Sequence, residues 1–422
     1  MADIQPLHTL RYDTAVSGPL ETVIAPPYDV IDHADRAALL QRSAYNVVEI
    51  DLPRAANGGD PYRHAAETLA GWRTEGVLTR EEEPALWALE QRYTAPTGER
   101  LRRSGILARV RIEGYGAGRI RPHERTHPGP KQDRLRLTRA TKANLSPIFS
   151  LYPDREGSAA SVLDVTLAEA PFDSATDSDG IEHRLWRIAD TNRIASLQGA
   201  LADIELLIAD GHHRYETARI YADEIGGEGG HRYVLMLLCS LADPGLTVFP
   251  THRLLTDLAD DTAKQQAIRE AVTRDFDIEQ VDREALEPDG SSGRVELGYM
   301  DSFHKQPYRL TLKDQSIADA ALEGMPAPYR RLDTAVLEAI LLKGALRMSE
   351  EDISHLRGLR YSKSFGDARE AVESGSADAG FFMRATPVEQ VRQVAETGEL
   401  MPPKSTYFFP KVPTGLVFSE LT

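Results

Sequence analysis

The most chemically loaded stretch of the sequence is Asp210-Gly211-His212-His213-Arg214, between the apolar run Ile204–Ala209 and a helical pattern from Tyr215 to Ile225. A strand end, a glycine and a helix start together turn backbone N–H groups and the positive end of the helix dipole toward one point. Gly211 lets a ligand approach the main chain, while His212, His213 and Arg214 add donors, the guanidinium as a planar fork matched to phosphate oxygens. A helix terminus alone favours an anion by only ~0.3–1 kcal/mol at an exposed site, so the donor cluster carries the expectation of a phosphate grip. The bland alternative is that Asp210 caps the helix and the histidines satisfy nearby carbonyls. His212 and Glu216 stand four apart, as many helical metal ligands do, but no third ligand follows at a fixed spacing, which argues against zinc.

A second stretch, Pro122 to Lys131, contains His123-Glu124-Arg125-Thr126-His127, which spells the zinc-peptidase pattern H-E-x-x-H. That pattern works only on a continuous helix, and Pro122 before it with Pro128-Gly129-Pro130 after it interrupts one. A rigid loop is expected instead, holding Glu124 beside Lys131, Arg134 and Arg136. A carboxylate set among cations stays ionised and is a candidate Mg²⁺ ligand or general base, with a plain loop salt bridge as the alternative. Two glycine-rich stretches imitate phosphate loops without their context. Gly114–Gly118 links strand to strand and reads as a hairpin turn, and Gly226–Gly230 ends a helix where a phosphate loop would begin one.

The elements that must position these residues can be read in outline. Val47–Leu52 reads as a strand closed by Pro53, and Asp60-Pro61 as a helix start, followed at helical spacing by Tyr62, Ala65, Ala66, Leu69 and Trp72 with Gly76 at the exit. Leu86–Tyr93 and Ser104–Glu113 read as antiparallel strands continued by Arg119–Ile120. Residues 153–182 are polar and acidic and read as a loop or a subdomain edge, and a helix follows over Asp190–Leu201. Arg232–Cys239 reads as a strand. Further on, Thr262–Phe276 and Leu332–Lys343 read as helices, and Arg294–Tyr299, Tyr308–Leu312 and Ala379–Arg384 as strands, with a helix from Pro387. Tyr407, Phe408 and Phe409 suggest a docked rather than frayed tail. The expected class is mixed α/β, divided into residues 1–245, which hold the phosphate turn, and 246–422, a C-terminal α/β region either separate from the first or interwoven with it.

Composition narrows the function classes. The 422 residues carry a net charge of −16, which disfavours a general nucleic-acid partner. Between Arg100 and Lys142, however, thirteen Lys or Arg face three acids, and screening at physiological salt lets such a local surface attract a small polyanion. The longest apolar run, near Val234–Ala242, is far below the ~20 residues of a membrane span, and the first residues do not read as a signal peptide. The single cysteine, Cys239, lies in that run and reads as a small buried hydrophobe. A cytoplasmic protein is expected.

Taken together, Ala25–Ile31 (APPYDVI), Asn46–Pro53 (NVVEIDLP), Pro122–Thr126 (PHERT), Pro130–Leu135 (PKQDRL), Ala140–Tyr152 (ATKANLSPIFSLY), Ile208–Ala218 (IADGHHRYETA) and Met401–Val417 (MPPKSTYFFPKVPTGLV) resemble the 1015 family of domains of unknown function over almost the whole chain. The Asp210–Arg214 turn is also similar to the D-G-H-H-R turn of the ParB/sulfiredoxin-like superfamily, whose members include free-serine kinases, CTP-binding ParB proteins and ATP-using sulfiredoxins. That resemblance implies a nucleotide-binding core elaborated with extra antiparallel strands, and a phosphate-holding role for Gly211, His212, His213 and Arg214. No sulfiredoxin-type catalytic cysteine is present, so that chemistry is not implied.

The reading is a kinase-like phosphotransferase. Nucleotide phosphates of ATP or ADP sit on Asp210–Arg214, assisted by Lys131 and Arg134 and by Mg²⁺ on Glu124. Glu124 is the candidate base, with Asp210 as its competitor, and Tyr28, Asp29 and Asn144 are assigned to the substrate. The acceptor is a small hydroxylated metabolite, and analogy with the serine kinases gives free L-serine. The rival readings are a ParB-like nucleotide-dependent switch without small-molecule chemistry, and a ParB-like nuclease. A homodimer is the self-association left open.

Overall fold

A computed structural model describes residues 3–54, 58–95, 98–115, 118–124, 126, 128–154 and 156–422. The chain forms two compact units, one of Met1–Pro122, Thr126–Leu246 and Pro410–Thr422, the other of His123–Arg125 and Thr247–Phe409.

The first unit is organised by a sheet in the order Ile120–Arg121, Leu206–Asp210, Ile148–Tyr152, Tyr233–Ser240, Arg100–Arg111, Leu86–Thr94, Glu182–Ile188 and Asp173–Thr176, with Ile4–Gln5 also paired to Arg100–Arg111. Two of its pairings are parallel, Leu206–Asp210 with Ile120–Arg121 and Tyr233–Ser240 with Ile148–Tyr152. The class is therefore mixed α/β, as the sequence implied. Tyr233–Ser240 is apolar from Val234 to Cys239 and buried throughout that run, the pattern of a strand covered on both faces. Ala159, Leu163, Leu197, Leu201, Tyr215 and Ala218 bring the helices Ser158–Leu167, Thr191–Leu201 and His212–Ile225 into one core with Ile106, Ala108, Ile148 and Met236. Helix starts follow the expected chemistry, Asp60 capping Tyr62 with Pro61 in the first turn, and Asp190 capping Arg193. A second sheet, ordered Leu78–Arg80, Thr9–Tyr12, Phe418–Glu420 and Ala143–Asn144, ties the C-terminal strand beside Asn144.

The second unit carries an antiparallel sheet in the order Phe276–Gln280, Tyr308–Leu312, Glu296–Asp301, Ala379–Phe382, His252–Leu255 and Leu359–Ser362. Ile268, Val272, Leu337 and Leu341 pack helices on it against Leu297, Leu310 and Phe381. The run expected as one helix over Leu332–Lys343 is α-helical over Asp333–Val336 and π-helical over Leu337–Ala345. In the tail, Tyr407–Phe409 pairs with Thr247–Phe249 and Phe408 is buried.

Four expectations need correction. Val48–Asp51 is a helical turn, not a strand. Asn46 donates to the carbonyls of Thr22 and Ile24 and accepts from the Val48 N–H, so a local cap and the burial of Val47, Val48 and Ile50 override β-propensity. Residues 153–182 hold a helix, Ser158–Leu167, and a strand, Asp173–Thr176, because Ala159, Leu163 and Thr166 bury one face beneath a polar composition. Ile120–Arg121 does not close a hairpin on Arg100–Arg111, whose two sides are already taken by Leu86–Thr94 and Tyr233–Ser240, and instead pairs with Leu206–Asp210. Gly116 and Ala117 of that connection lie outside the described residues. Finally, Pro128-Gly129-Pro130 starts a helix, Pro128–Thr141, rather than extending a loop, since proline in a first turn leaves unmade only bonds that are orphaned there anyway. Lys131, Arg134 and Arg136 are thus helical residues.

Candidate phosphate site

Asp210 ends its strand at an irregularity in the pairing with Ile148–Tyr152. Gly211 then adopts φ +98°, a left-handed conformation that side chains strain to reach, and a Cβ there would come within 3.1 Å of the Arg214 guanidinium. The helix begins at His212, not Tyr215, so His212, His213 and Arg214 form its first turn, where backbone N–H groups have no intrahelical acceptor. The N-cap residue is Gly211 itself, which has no side chain to offer this end. His212 is buried and His213 half-buried.

Arg214 is held from two sides. Nη1 donates to Ser146 Oγ at 2.8 Å and to the Pro147 carbonyl, and Nη2 donates to Asp210 Oδ2 at 2.8 Å. Asp210 also receives the ammonium of Lys411, which the C-terminal segment brings back into the first unit. That segment is pinned by Arg103, which donates to the Pro410 carbonyl at 2.6 Å, and by Gln91, which donates to the Lys411 carbonyl at 2.9 Å. Burial opposes ionisation of Asp210, but Lys411 and Arg214 outweigh it and hold the carboxyl well below the usual range. Asp210 is therefore a poor proton acceptor and a firm anchor for two cations.

Beside this turn lies a cleft of about 40 Å³ whose lining includes Asp51, Arg134, Asn144, Ser146, Arg214 and Thr217. One water needs ~10–15 Å³ on this measure, so the space suits a few waters or one phosphoryl group. Arg134 is buried, donates to the Asp51 carbonyl at 2.6 Å and Oδ1 at 3.2 Å, and forks onto Asp133 Oδ2 at 2.6 and 2.8 Å. Its guanidinium lies 4.2 Å from the centre of the Tyr28 ring, and burial pushes the Tyr28 hydroxyl up to about 12 against the pull of Arg214 and Arg134. Asp51 is buried too, yet its Oδ2 has no hydrogen-bond partner among the described residues. Burial raises its carboxyl, opposed by Arg134 and Arg214. A buried carboxylate oxygen without a donor is costly, which makes it the group in this cleft that a ligand's proton or cation would complete.

The structure thus brings Arg134, Asn144 and Arg214 to one cleft, with Tyr28 against Arg134. Asn144 Oδ1 accepts from the Leu235 N–H at 3.1 Å. Asp29 is exposed on the turn after Tyr28. Lys131 sits in the first turn of its helix, its carbonyl accepting from Thr217 at 3.4 Å, and its ammonium has no ion pair among the described residues. Glu124 belongs to the second unit, bridges to Met401 and accepts from the Lys404 N–H at 3.4 Å. His123 is buried there against Thr406, 2.9 Å away, and His127 lies outside the described residues. Among the described residues no group of three or more His, Cys, Asp or Glu could hold a metal ion by itself. Asp51, Ser146 and Lys411 were missed by residue-type reasoning. Each lies in a segment that carries the family resemblance, which was the one signal available for them.

A family profile described as "Protein of unknown function (DUF1015)" matches residues 4–335. No curated protein matches. Among solved structures, the chain is similar to a free serine kinase in complex with AMP, at 13% identity over 71% of this chain and 89% of that one, TM-score 0.36. It is also similar to a conserved hypothetical protein from Pyrococcus furiosus, at 14% identity over 71% and 92%, TM-score 0.36. A third likeness is SbnI with a C-terminal truncation from Staphylococcus aureus, at 12% identity over 73% and 85%, TM-score 0.37. Likenesses this distant carry no argument for a shared activity. Among the described residues no helix is long and apolar enough to cross a membrane.

Proposed function

The chain belongs to the DUF1015 family, and from that premise we propose that it is a nucleotide-dependent phosphotransferase acting on a small hydroxylated acceptor. One observation carries the reading: the helix start at Gly211 stands beside a cleft of phosphoryl size lined by two arginines and a carboxylate with an oxygen unpartnered among the described residues. Phosphoryl transfer needs chiefly positioning and charge neutralisation, and those are the parts present. Gly211 and the first-turn N–H groups of His212 and His213, with Arg134, Arg214 and Lys131, would hold the phosphates of ATP or ADP. Mg²⁺ commonly binds through one or two carboxylates plus phosphate oxygens, and the free oxygen of Asp51 fits that donor set. Tyr28, Asp29 and Asn144 would contact the acceptor, for which free L-serine is the specific candidate by analogy of the D-G-H-H-R turn.

In the transfer, the acceptor hydroxyl oxygen forms a bond to phosphorus, the bond to the leaving nucleotide oxygen breaks, and the hydroxyl proton passes to a carboxylate. Two carboxylates of the first unit compete for that proton. Asp210 is the weaker candidate because its cations depress it, whereas burial raises Asp51. Glu124, expected from the sequence as base or Mg²⁺ ligand, belongs to the second unit and serves as the comparison. Asp51→Asn and Glu124→Gln are to be compared with the wild type in transfer of labelled phosphate to a panel of amino acids and sugars. If Asp51 is the base, Asp51→Asn loses about 100-fold or more in rate while binding of nucleotide without Mg²⁺ persists, and Glu124→Gln stays near wild type. Transfer by neither the wild type nor any variant, with nucleotide still bound, would favour the switch reading.

A further inference from the structure

The second unit contains a cleft of about 600 Å³, within the range of small-molecule sites, whose chemistry the phosphate site does not use. From it we infer a binding site for a small organic polyanion. Its lining includes Arg294, Lys313, Arg331 and Arg384, with Asp314 the single carboxylate. That carboxylate is turned to the start of its own helix, accepting from the Ser316 N–H at 2.8 Å. Four cations to one carboxylate in this lining run against the average field of a chain of net charge −16 and draw small anions to that place.

The cations differ in how they are held. Arg384 is pre-positioned: Nε donates to Asp333 Oδ2 at 2.6 Å, and Nη2 donates to Asp333 Oδ1 at 3.1 Å and to the Arg294 carbonyl at 2.9 Å. Its Nη1 makes no hydrogen bond among the described residues, and Glu296 Oε2 is 3.8 Å away. Gly290, at φ +77°, leaves room for the fork, since a Cβ there would lie 2.7 Å from Nη1. Arg331 is exposed and has no ion pair among the described residues. Arg294 pairs with Asp277 at 3.0 Å, but both side chains are exposed, and such pairs are worth little and exchange readily. Lys313 donates to the carbonyls of Thr273 and Arg274, so it contributes field rather than contact. Gln390 and Gln393, three apart on the helix Val388–Glu396, add amides to the same lining. Two guanidinium groups with spare donors call for at least two anionic groups, and the amides call for a polar body between them.

The source of the anionic groups, phosphate or carboxylate, is separated by using two probes, pyrophosphate and citrate. Titration calorimetry on the full chain measures affinity, and hydrogen exchange locates the protected segments. At least one probe is expected to bind and to protect residues 290–295 and 384–393. Arg331→Glu and Arg294→Glu, both at exposed positions, are each expected to weaken it about tenfold or more without lowering the melting temperature. Binding of neither probe at millimolar concentration overturns the site. So does protection confined to residues 211–218, or affinity unchanged in both variants.

Discussion

Lys411 and Arg214 share one carboxylate, Asp210, and the three together fix the geometry of the Asp210–Arg214 turn. Removing one partner of a partly buried cluster leaves charge uncompensated, so Lys411→Met should cost about 1–3 kcal/mol at pH 7, read as a shift in the denaturant midpoint. The pH dependence follows from the direction of the Asp210 shift. Its carboxyl is lowered in the folded state, so its stabilisation is present above the ordinary aspartate range and is lost as pH falls through and below that range. Lys411→Met should therefore flatten the acid limb of the stability curve below about pH 4. Which residues met at this point was only half legible in the sequence. The turn announced itself through residue types at adjacent positions. Lys411 is 201 positions from Asp210, and nothing local says that a tail lysine returns to it. Asp51 is hidden for another reason: β-branched residues at helical positions make its segment read as a strand, which gives its carboxylate no place at a site.

At the scale of elements, the helix His212–Ile225 depends on Gly211 to leave the strand in a left-handed turn. Gly211→Ala should cost about 1–2 kcal/mol from backbone strain, and more if Arg214 must move away from the new Cβ. The measurement is thermal unfolding together with nucleotide affinity, and both should fall. Unchanged stability would mean that this turn does not set the start of the helix. Elements with a strong period or a cap were legible, as at Asp60-Pro61 and Asp190. Those that failed did so where tertiary context decided. Asn46, which accepts from the Val48 N–H, is held in place by carbonyls 22 to 24 residues distant, and Ile120–Arg121 is sent to another strand because both sides of Arg100–Arg111 are occupied. The helix at Pro128 is masked because a Pro-Gly-Pro run can end a helix as well as begin one, and these prolines suit a first turn.

At the scale of the whole molecule, the two compact units carry separate buried titrating groups and should report separately on pH. His252, in the second unit, is fully buried, and its Nδ1 accepts from the Met383 N–H at 3.1 Å, a bond only the unprotonated nitrogen can make. Burial, with Arg253 adding to it, pushes the imidazole down to about 4. In the unfolded chain the same group titrates near 6.5, so between those values the unfolded state binds more protons. Stability of this unit is then full above about pH 6.5 and declines as pH falls toward about 4, by roughly 3 kcal/mol at most. Calorimetric unfolding of the wild type and His252→Asn, whose amide oxygen can replace Nδ1, checks it: the variant should lose that slope.

The claim on which the account rests is that the Gly211 helix start and its adjoining arginine-lined cleft hold nucleotide phosphate. Thermal unfolding of the wild type and of Arg214→Ala with ATP, ADP, AMP and CTP, each with Mg²⁺, tests it most directly. A ligand at a hundred times its dissociation constant stabilises the folded state by about 2.7 kcal/mol, a shift that is easily read. The account predicts such a shift for at least one nucleotide in the wild type and its loss in Arg214→Ala. No shift with any nucleotide, or an equal shift in the variant, would contradict it.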